Sequence, residues 1–446
     1  MSQPCRGRVL MVAYGFPPTG GGGVQRSVKF AKYLPQSGWL PTVWAADPIA
    51  GLPEDHTLLA DLTPEVAVHR WSCERGVRSL GRFARSKIGR GRVATKLVQA
   101  VDWRLDAWLT RGPYTDEYAS WARASIRPLR RLIHKEPVDA IYSTFSPVAN
   151  HLLALALKRE TGQPWVADFR DLWTDDPRYH EPSRRRRLAH RRLEQEILET
   201  ADAVIGVTPR QTEILAGHVP TMRHKFVTIT NGFDPVDFVD VGRDGHRLNP
   251  AFVLAFVGRF DHFRANEVLL SGLRRFVSEL GANRDRFVLR IVGHADESTL
   301  ARIHSAGIRY VFTGYVPHRE AVREMAEADA LLASVKPDGL HANSIINGKL
   351  FEYLASQRPI LIVGPEGGEG ARIVCSCGAG LTANTDEESV AAALRKLYDA
   401  WQTGHPMNGC HAAHLPQYSR LESARRLAEV FDRLVVSKDT RMKDEG

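Results

Sequence analysis

The sequence predicts an α/β fold of two doubly wound parallel-sheet domains, on three observations. Short β-branched runs alternate with helical periodicity: "RVLMVAY", "PTVWAA", "VDAIYST", "PWVADF", "DAVIGVT" and "FVTIT", then "FVLAFVG", "FVLRIVG", "RYVFTG", "DALLASV" and "RPILIVG". Strands that alternate with helices in this way imply crossover connections. Between the sixth and seventh runs lies "NGFDPVDFVDVGRDGHRLNP", rich in Gly, Asp and Pro and poor in periodicity, which reads as a linker. The third observation is an internal echo. "ETADAVIGVTP" (Glu199 to Pro209) resembles "EADALLASVKP" (Glu327 to Pro337), each a helix end, an Ala-Asp-Ala step, a buried strand and a proline. The halves are therefore expected to share a plan.

The other properties fit that class. A chain of 446 residues with 43% apolar and 25% charged content suits two or three globular domains. No apolar stretch approaches the roughly 18 residues of a membrane span, and "MSQPCRGRVL" runs into the first strand without a signal-peptide pattern. A cytoplasmic location is expected, with peripheral attachment to the inner face of the cell membrane as an option. The five cysteines form neither a disulfide framework nor a zinc spacing and read as reduced. Sixty basic against 51 acidic residues give +9, which favours anionic partners.

The first strand leads into "YGFPPTGGGGVQR", Tyr14 to Arg26, and a helix, "VQRSVKFAKYL". A P-loop requires a Gly-Lys-Ser/Thr ending, which is absent. A dinucleotide fingerprint requires a third glycine where Gln25 or Arg26 stands. What remains is physical: glycines let backbone approach a bulky ligand, and a helix start offers free N–H groups to an anion. At the other end, "LPQYSRLESARRLAEVFDRLVV" reads as a terminal helix with Leu421, Ala424, Leu427, Val430, Phe431 and Leu434 on its apolar face.

Seven stretches in order carry a resemblance: "YGFPPTGGGGVQRSVKFAKYL", "ADAVIGVTP", "TNGFDP", "FVGRF", "TGYVPHREAVREMAEADALLASV", "GKLFEYLASQRPILIVGPEGG" and the closing helix. Together they resemble the family-four retaining glycosyltransferases of the GT-B fold. "DFRDLW" is similar to a branch found in bacterial surface-polysaccharide and lipopolysaccharide assembly. The resemblance implies two Rossmann-like domains facing across a cleft: residues 1–235 on the acceptor side, residues 250–415 holding the nucleotide sugar, and residues 416–446 as a helix crossing back with its tail. It implies no cofactor beyond the nucleotide-diphosphate sugar as co-substrate. No Asp-x-Asp metal signature is present, and no metal is expected.

Breaking the bond from a sugar to a diphosphate builds charge on the leaving group, which cations or amide dipoles must meet. Arg259 in "VGRF" and Lys349 at the start of a helix are the candidates. Glu352 in "LFEYLA" matches the second glutamate of the family's pair, which binds the ribose hydroxyls. Ser344 stands where the first glutamate is expected, a departure that bears on the donor sugar. The resemblance also places Gly22, Gly23, Arg26, Val316, Asn347 and Gly348 in the donor site, and "PEGGEG" (Pro365 to Gly370) beside it. A second departure is Arg170, where the family usually has a histidine. "ADFRDLW" presents Asp168, Arg170 and Asp171 at a strand end as candidate catalytic residues. Arginine stays charged and cannot act as a base, so Asp168 or Asp171 is left to take the acceptor's proton.

The implied function is transfer of a sugar to a polysaccharide or lipid-linked acceptor. A sugar-nucleotide 2-epimerase and a catalytically degenerate partner subunit are the alternatives. Arg75 to Arg104 contains nine basic residues and Asp102 as its one acid, with Arg75, Arg78, Arg82 and Arg85 on one helical face. This pattern suits an anionic membrane surface. No recognised nucleic-acid module accompanies the charge.

Overall fold

In the computed structural model, residues 5–48, 54–72, 118–176, 179, 181, 183–239, 249–261, 264–335 and 341–444 are described. The basic segment Arg75 to Arg104 lies outside them. The chain divides into two units, one made of Met1–Ile229 with Ala424–Gly446, the other of Thr230–Ser423.

The strands of the first unit are β1 (Gly7–Val12), β2 (Trp39–Ala46), β3 (Ala67–Trp71), β4 (Ala140–Phe145), β5 (Trp165–Phe169), β6 (Ala203–Gly206) and β7 (Phe226–Thr228). All pair in parallel, in the order β3-β2-β1-β4-β5-β6-β7. A parallel sheet is covered on both faces, so its strands read as continuous apolar runs. Alternate residues feed two cores. Leu10, Val12, Ile141, Trp165 and Ala167 pack with α2 (Ala119–Lys135), α3 (Val148–Thr161) and α4 (Arg184–Thr200). Val9, Met11, Ala140, Tyr142 and Val166 pack with α1 (Gly22–Tyr33) and the terminal helix, which is numbered α12 below. A short helix, α5 (Pro209–Gly217), joins β6 to β7.

The second unit repeats the plan with β8 (Phe252–Phe260), β9 (Phe287–Ala295), β10 (Tyr310–Gly314), β11 (Ala330–Ser334), β12 (Ile360–Val363) and β13 (Gly380–Ala383). Their order is β10-β9-β8-β11-β12-β13, again parallel. Its helices are α6 (Glu267–Leu280), α7 (Glu297–Ser305), α8 (His318–Glu327), α9 (Leu350–Ser356), α10 (Glu369–Ser376) and α11 (Glu387–Gln402). Phe252, Leu254 and Phe256 face α6 and α11, whereas Val253, Ala255 and Val257 face α8, α9 and α10.

Two strands escaped the sequence reading, β3 ("AVHRW") and β13 ("GLTA"), and both are sheet edges. An edge strand is less buried and lacks the apolar run that marks a central one. The internal echo also needs correction. β11 holds in its sheet the place that β4 holds in the other, so β6 and β11 are not equivalent; the shared plan stands on topology.

The terminal helix α12 (Arg420–Asp444) buries Ala424, Leu427, Val430 and Phe431, but Leu421, expected on the same face, is 42% exposed. Trp39 packs at a tilt against Phe431, with ring centroids 4.9 Å apart and planes at 48°, and its indole donates to Asp432 at 2.9 Å.

A buried histidine makes a prediction about acid stability. His151 is fully buried against Phe169 and Trp165, with Nδ1 2.7 Å from the Ser143 hydroxyl. Burial pushes its pKa down to about 3, so between that value and about 6.5 the unfolded chain binds the proton and the native state does not. The contribution to stability is full above pH 6.5 and falls as pH drops toward 3. A His151→Asn variant is expected to show a shallower loss of melting temperature over that window than the wild type.

Candidate active site

In the first unit, the loops after β1, β4 and β5 meet through one side chain. Arg170, just beyond β5, donates to the carbonyl of Gly23 and, at 2.9 Å, to that of Ser146. α1 starts at Gly22 behind Gly21, whose φ of 107° is left-handed territory suited to glycine. At Gly23 the demand is spatial: a Cβ there would lie 2.6 Å from the Arg170 guanidinium. That glycine accommodates a close approach by the protein's own arginine. Asp171 is half-buried beside Arg170.

Arg26 and Asp168 do something other than the sequence suggested. Arg26 is 2% exposed, Asp168 not at all. The guanidinium forks onto the carboxylate, Nε to Oδ2 at 2.7 Å and Nη2 to Oδ1 at 3.0 Å, and Nη2 also donates to the Ile229 carbonyl at 2.9 Å. The Tyr142 hydroxyl donates to Asp168 Oδ2 at 2.5 Å. Burial pushes the Arg26 guanidinium down, but Asp168 and then Tyr142 outweigh it and leave its pKa raised. Neither side chain lies on a ligand-accessible lip, and Asp168 has no exposed surface through which to take an acceptor's proton. In this structure both side chains are buried and paired with each other, not exposed at a lip as the sequence suggested.

In the second unit, the sheet order reverses direction between β8 and β11, the switch point at which doubly wound sheets bind ligands. β8 pairs with β11 only at Leu254 and Ala255. Beyond them the Val257 N–H donates to the Tyr353 hydroxyl of α9 at 2.8 Å, which satisfies the backbone where the strands part. Arg259, the last residue but one of β8, is exposed and without an ion-pair partner among the described residues.

α9 brings the charged groups together. Lys349 Nζ lies 2.6 Å from Glu352 Oε2. Across from them, His318 opens α8 with Nε2 3.0 Å from Asp237 Oδ2 and 3.9 Å from Glu352 Oε1. The hydrogen bond that His318 makes to the Asp237 carboxylate raises its pKa, burial opposes the rise, and Glu352 adds to it. Asn347 Oδ1 accepts from the Lys349 N–H at 3.0 Å. One helix-start amide is thus already used, and α9 has seven residues, so the expected helix-dipole contribution at Lys349 is small. Gly348 is exposed next to it.

Ser344 is buried in a short turn, its hydroxyl donating to the His341 carbonyl at 2.7 Å. Val316 is half-buried two residues before His318, packed on the α9 side of the sheet. Pro365, Glu366, Gly367, Gly368 and Gly370 line a cavity of about 270 Å³ with Val335, Ile345, Arg372 and Asn384; Arg259, Lys349 and Glu352 do not line it. His318 and Asp237 were missed as site residues although both sit in quoted motifs, "TGYVPHRE" and the residues after "TNGFDP". The proximity of a histidine to two acids was the signal available, and only the fold reveals it.

Two parallel sheets wrapped by helices in this strand order, together with the solved structures to which the chain is similar, show a GT-B α/β fold. Residues 124–232 match the glycosyl transferase 4-like domain family. The chain is similar to the solved structure of a glycosyltransferase from Rickettsia africae ESF-5, at 13% identity and a TM-score of 0.59, with 98% of each chain covered. WaaG, a glycosyltransferase involved in lipopolysaccharide biosynthesis, is similar at 14% identity and 0.51, covering 96% of this chain and 98% of that one. A putative UDP-N-acetylglucosamine 2-epimerase from Listeria monocytogenes is similar at 13% identity and 0.54, with 94% of each covered. No curated protein matches the chain.

Removing one partner of the Arg26–Asp168 pair strands a buried charge, which typically costs about 3–5 kcal/mol. Arg26→Ala is therefore expected to lower the melting temperature sharply. Arg170→Ala, which removes a half-buried bridge between loops, is expected to lower it much less. Chemical denaturation of the two variants measures the difference.

Proposed function

We propose that the protein is a retaining glycosyltransferase of the family-four type, acting in bacterial polysaccharide or glycolipid assembly. It moves a sugar from a nucleotide-diphosphate donor to a saccharide or lipid-linked acceptor. The observation that supports this reading most is the Lys349–Glu352–His318–Asp237 cluster at the switch edge of the second sheet. It combines a carboxylate able to accept both ribose hydroxyls with cations able to meet a diphosphate. The glycosyl transferase 4-like match and the glycosyltransferase neighbours support the same class.

In this reading Glu352 binds the ribose, and Lys349, His318 and Arg259 stabilise charge on the departing diphosphate. Asn347, Gly348 and Val316 shape the donor site, and Ser344 replaces a carboxylate at the sugar end. On the acceptor side, Arg170 holds the Gly22–Gly23 loop and Asp171 takes the acceptor proton. The sugar–phosphate bond breaks as the bond to the acceptor oxygen forms, and the diphosphate carries away the electron pair. No metal or further cofactor takes part. The proposed location is cytoplasmic; no helix among the described residues is long and apolar enough to cross a membrane.

The epimerase-like neighbour supports a second reading on the same fold. Incubation of nucleotide sugars without acceptor separates the two. Conversion to the 2-epimer favours the isomerase, whereas unchanged or slowly hydrolysed donor favours the transferase.

A thermal-shift screen across nucleoside diphosphates and their sugars tests donor binding directly. Glu352→Ala is expected to weaken the best ligand about tenfold or more, since it removes charge-assisted hydrogen bonds worth about 1.5–3 kcal/mol each. Unchanged affinity would remove Glu352 from the donor site. The raised pKa of His318 gives this binding a pH signature: protonated below that pKa, the imidazolium favours the diphosphate, and affinity falls as pH rises through it. A His318→Gln variant is expected to lose this dependence, as read by calorimetry across neutral pH.

A further inference from the structure

α4 begins with "RRRRLAHRR", a run that the donor and acceptor chemistry leaves unused. Its inner face is apolar and buried, including Ala189, Leu193, Ile197 and Leu198. The outer face of its first two and a half turns is a different surface. With about 3.6 residues per turn, Arg184, Leu188, Arg191 and Arg192 fall on one outward stripe, with Arg185 at its edge. All five are exposed, Leu188 by 48%.

The four arginines have no ion-pair or hydrogen-bond partner among the described residues. The acids nearby are taken: Glu181 pairs with Arg186 at 3.2 Å and receives the Arg187 guanidinium at its carbonyl, and Glu196 pairs with Arg159. The stripe turns polar and acidic only further along, where Gln195 donates to Glu199 at 2.8 Å. The stripe presents one exposed aliphatic side chain, Leu188, among four guanidinium groups that have no partner among the described residues.

We propose that this face of α4 docks on an anionic phospholipid bilayer. Guanidinium forks match phosphate oxygens and are weakly hydrated, so they seat readily at a headgroup layer. Leu188, at the centre of the patch, enters the apolar boundary beneath it. A nucleic acid fits the pattern less well, because the stripe offers an aliphatic centre and no aromatic ring for base stacking. The inference is independent of the donor chemistry and of Arg75 to Arg104.

The test is co-sedimentation of the full chain with phosphatidylglycerol-containing and pure phosphatidylcholine vesicles, at low and high salt. Each arginine at an anionic surface strengthens adsorption about fivefold. Replacing Arg184, Arg185, Arg191 and Arg192 with glutamine is expected to cut binding to anionic vesicles by roughly tenfold or more. Leu188→Ser is expected to weaken it at all salt concentrations, and unchanged circular dichroism and melting temperature verify the fold of each variant. Changing Arg78, Arg82 and Arg85 to glutamine in a separate arm isolates the other basic segment. The proposal is overturned if the quadruple variant binds like the wild type, if only the Arg78, Arg82 and Arg85 variant loses binding, or if the wild type pellets equally with neutral vesicles. It is also overturned if the α4 arginines govern binding to duplex RNA or DNA and leave vesicle binding unchanged. Donor affinity, measured by thermal shift, is expected to be the same in all variants, so a failure here leaves the donor reading untouched and the reverse also holds.

Discussion

The Asp168 carboxylate, wholly removed from water in the first unit, constrains much of what surrounds it. Desolvating a carboxylate and a guanidinium costs several kcal/mol per ion, and good geometry with further hydrogen bonds is needed to offset it. Arg26 supplies a two-pronged contact, and Tyr142 supplies a hydroxyl to the same oxygen that accepts Nε. The three side chains come from α1, β5 and β4, and a further Arg26 contact reaches the Ile229 carbonyl. Strand alternation explains why they meet. Asp168 shares the face of Val166, while Trp165, Ala167 and Phe169 fill the opposite core, so the carboxylate points to the layer containing α1. Once α1 is held there, the glycine loop before it is held too, and Arg170 closes onto Gly23.

The second unit solves the switch point differently. β8 leaves β11 after Ala255, and a hydroxyl from α9 replaces the missing strand partner at Val257. An unpaired buried N–H would be costly, so the helix that satisfies it is fixed in place. Lys349 and Glu352 sit on the first turn of that helix, and His318 sits at the start of the next element across the gap. The backbone's need for a hydrogen bond thereby sets the position of the charged cluster.

Much of this fold was legible because buried parallel strands have no polar face to obscure them. All eleven runs read as strands are strands; the two omitted, β3 and β13, are sheet edges, as are β7 and β10, whose short apolar runs were nonetheless read. The site was less legible, and the reasons are local. A buried arginine looks like an exposed one in a sequence; Arg26 meets its partner across 142 positions. Gly23 reads as room for a ligand, but its missing side chain makes room for Arg170. His318 and Asp237 are 81 positions apart, so their pairing depends on α8 meeting the turn at Pro235–Phe238.

The two switch edges therefore differ in how far their charges are committed. In the first unit, Arg26 and Asp168 neutralise each other out of water, and Arg170 donates through its two terminal nitrogens to backbone carbonyls. In the second, Lys349 and His318 share one carboxylate neighbourhood while remaining partly open to solvent, and Arg259 stands exposed at the end of β8. Committed charges hold shape, because displacing them exposes a desolvated ion. Cations that keep part of their surface in solvent are the ones an arriving anion can reach without exposing a fully desolvated ion. That difference leaves the first sheet's edge held by its own ion pair and backbone contacts, and the second sheet's edge with cations still partly open to solvent.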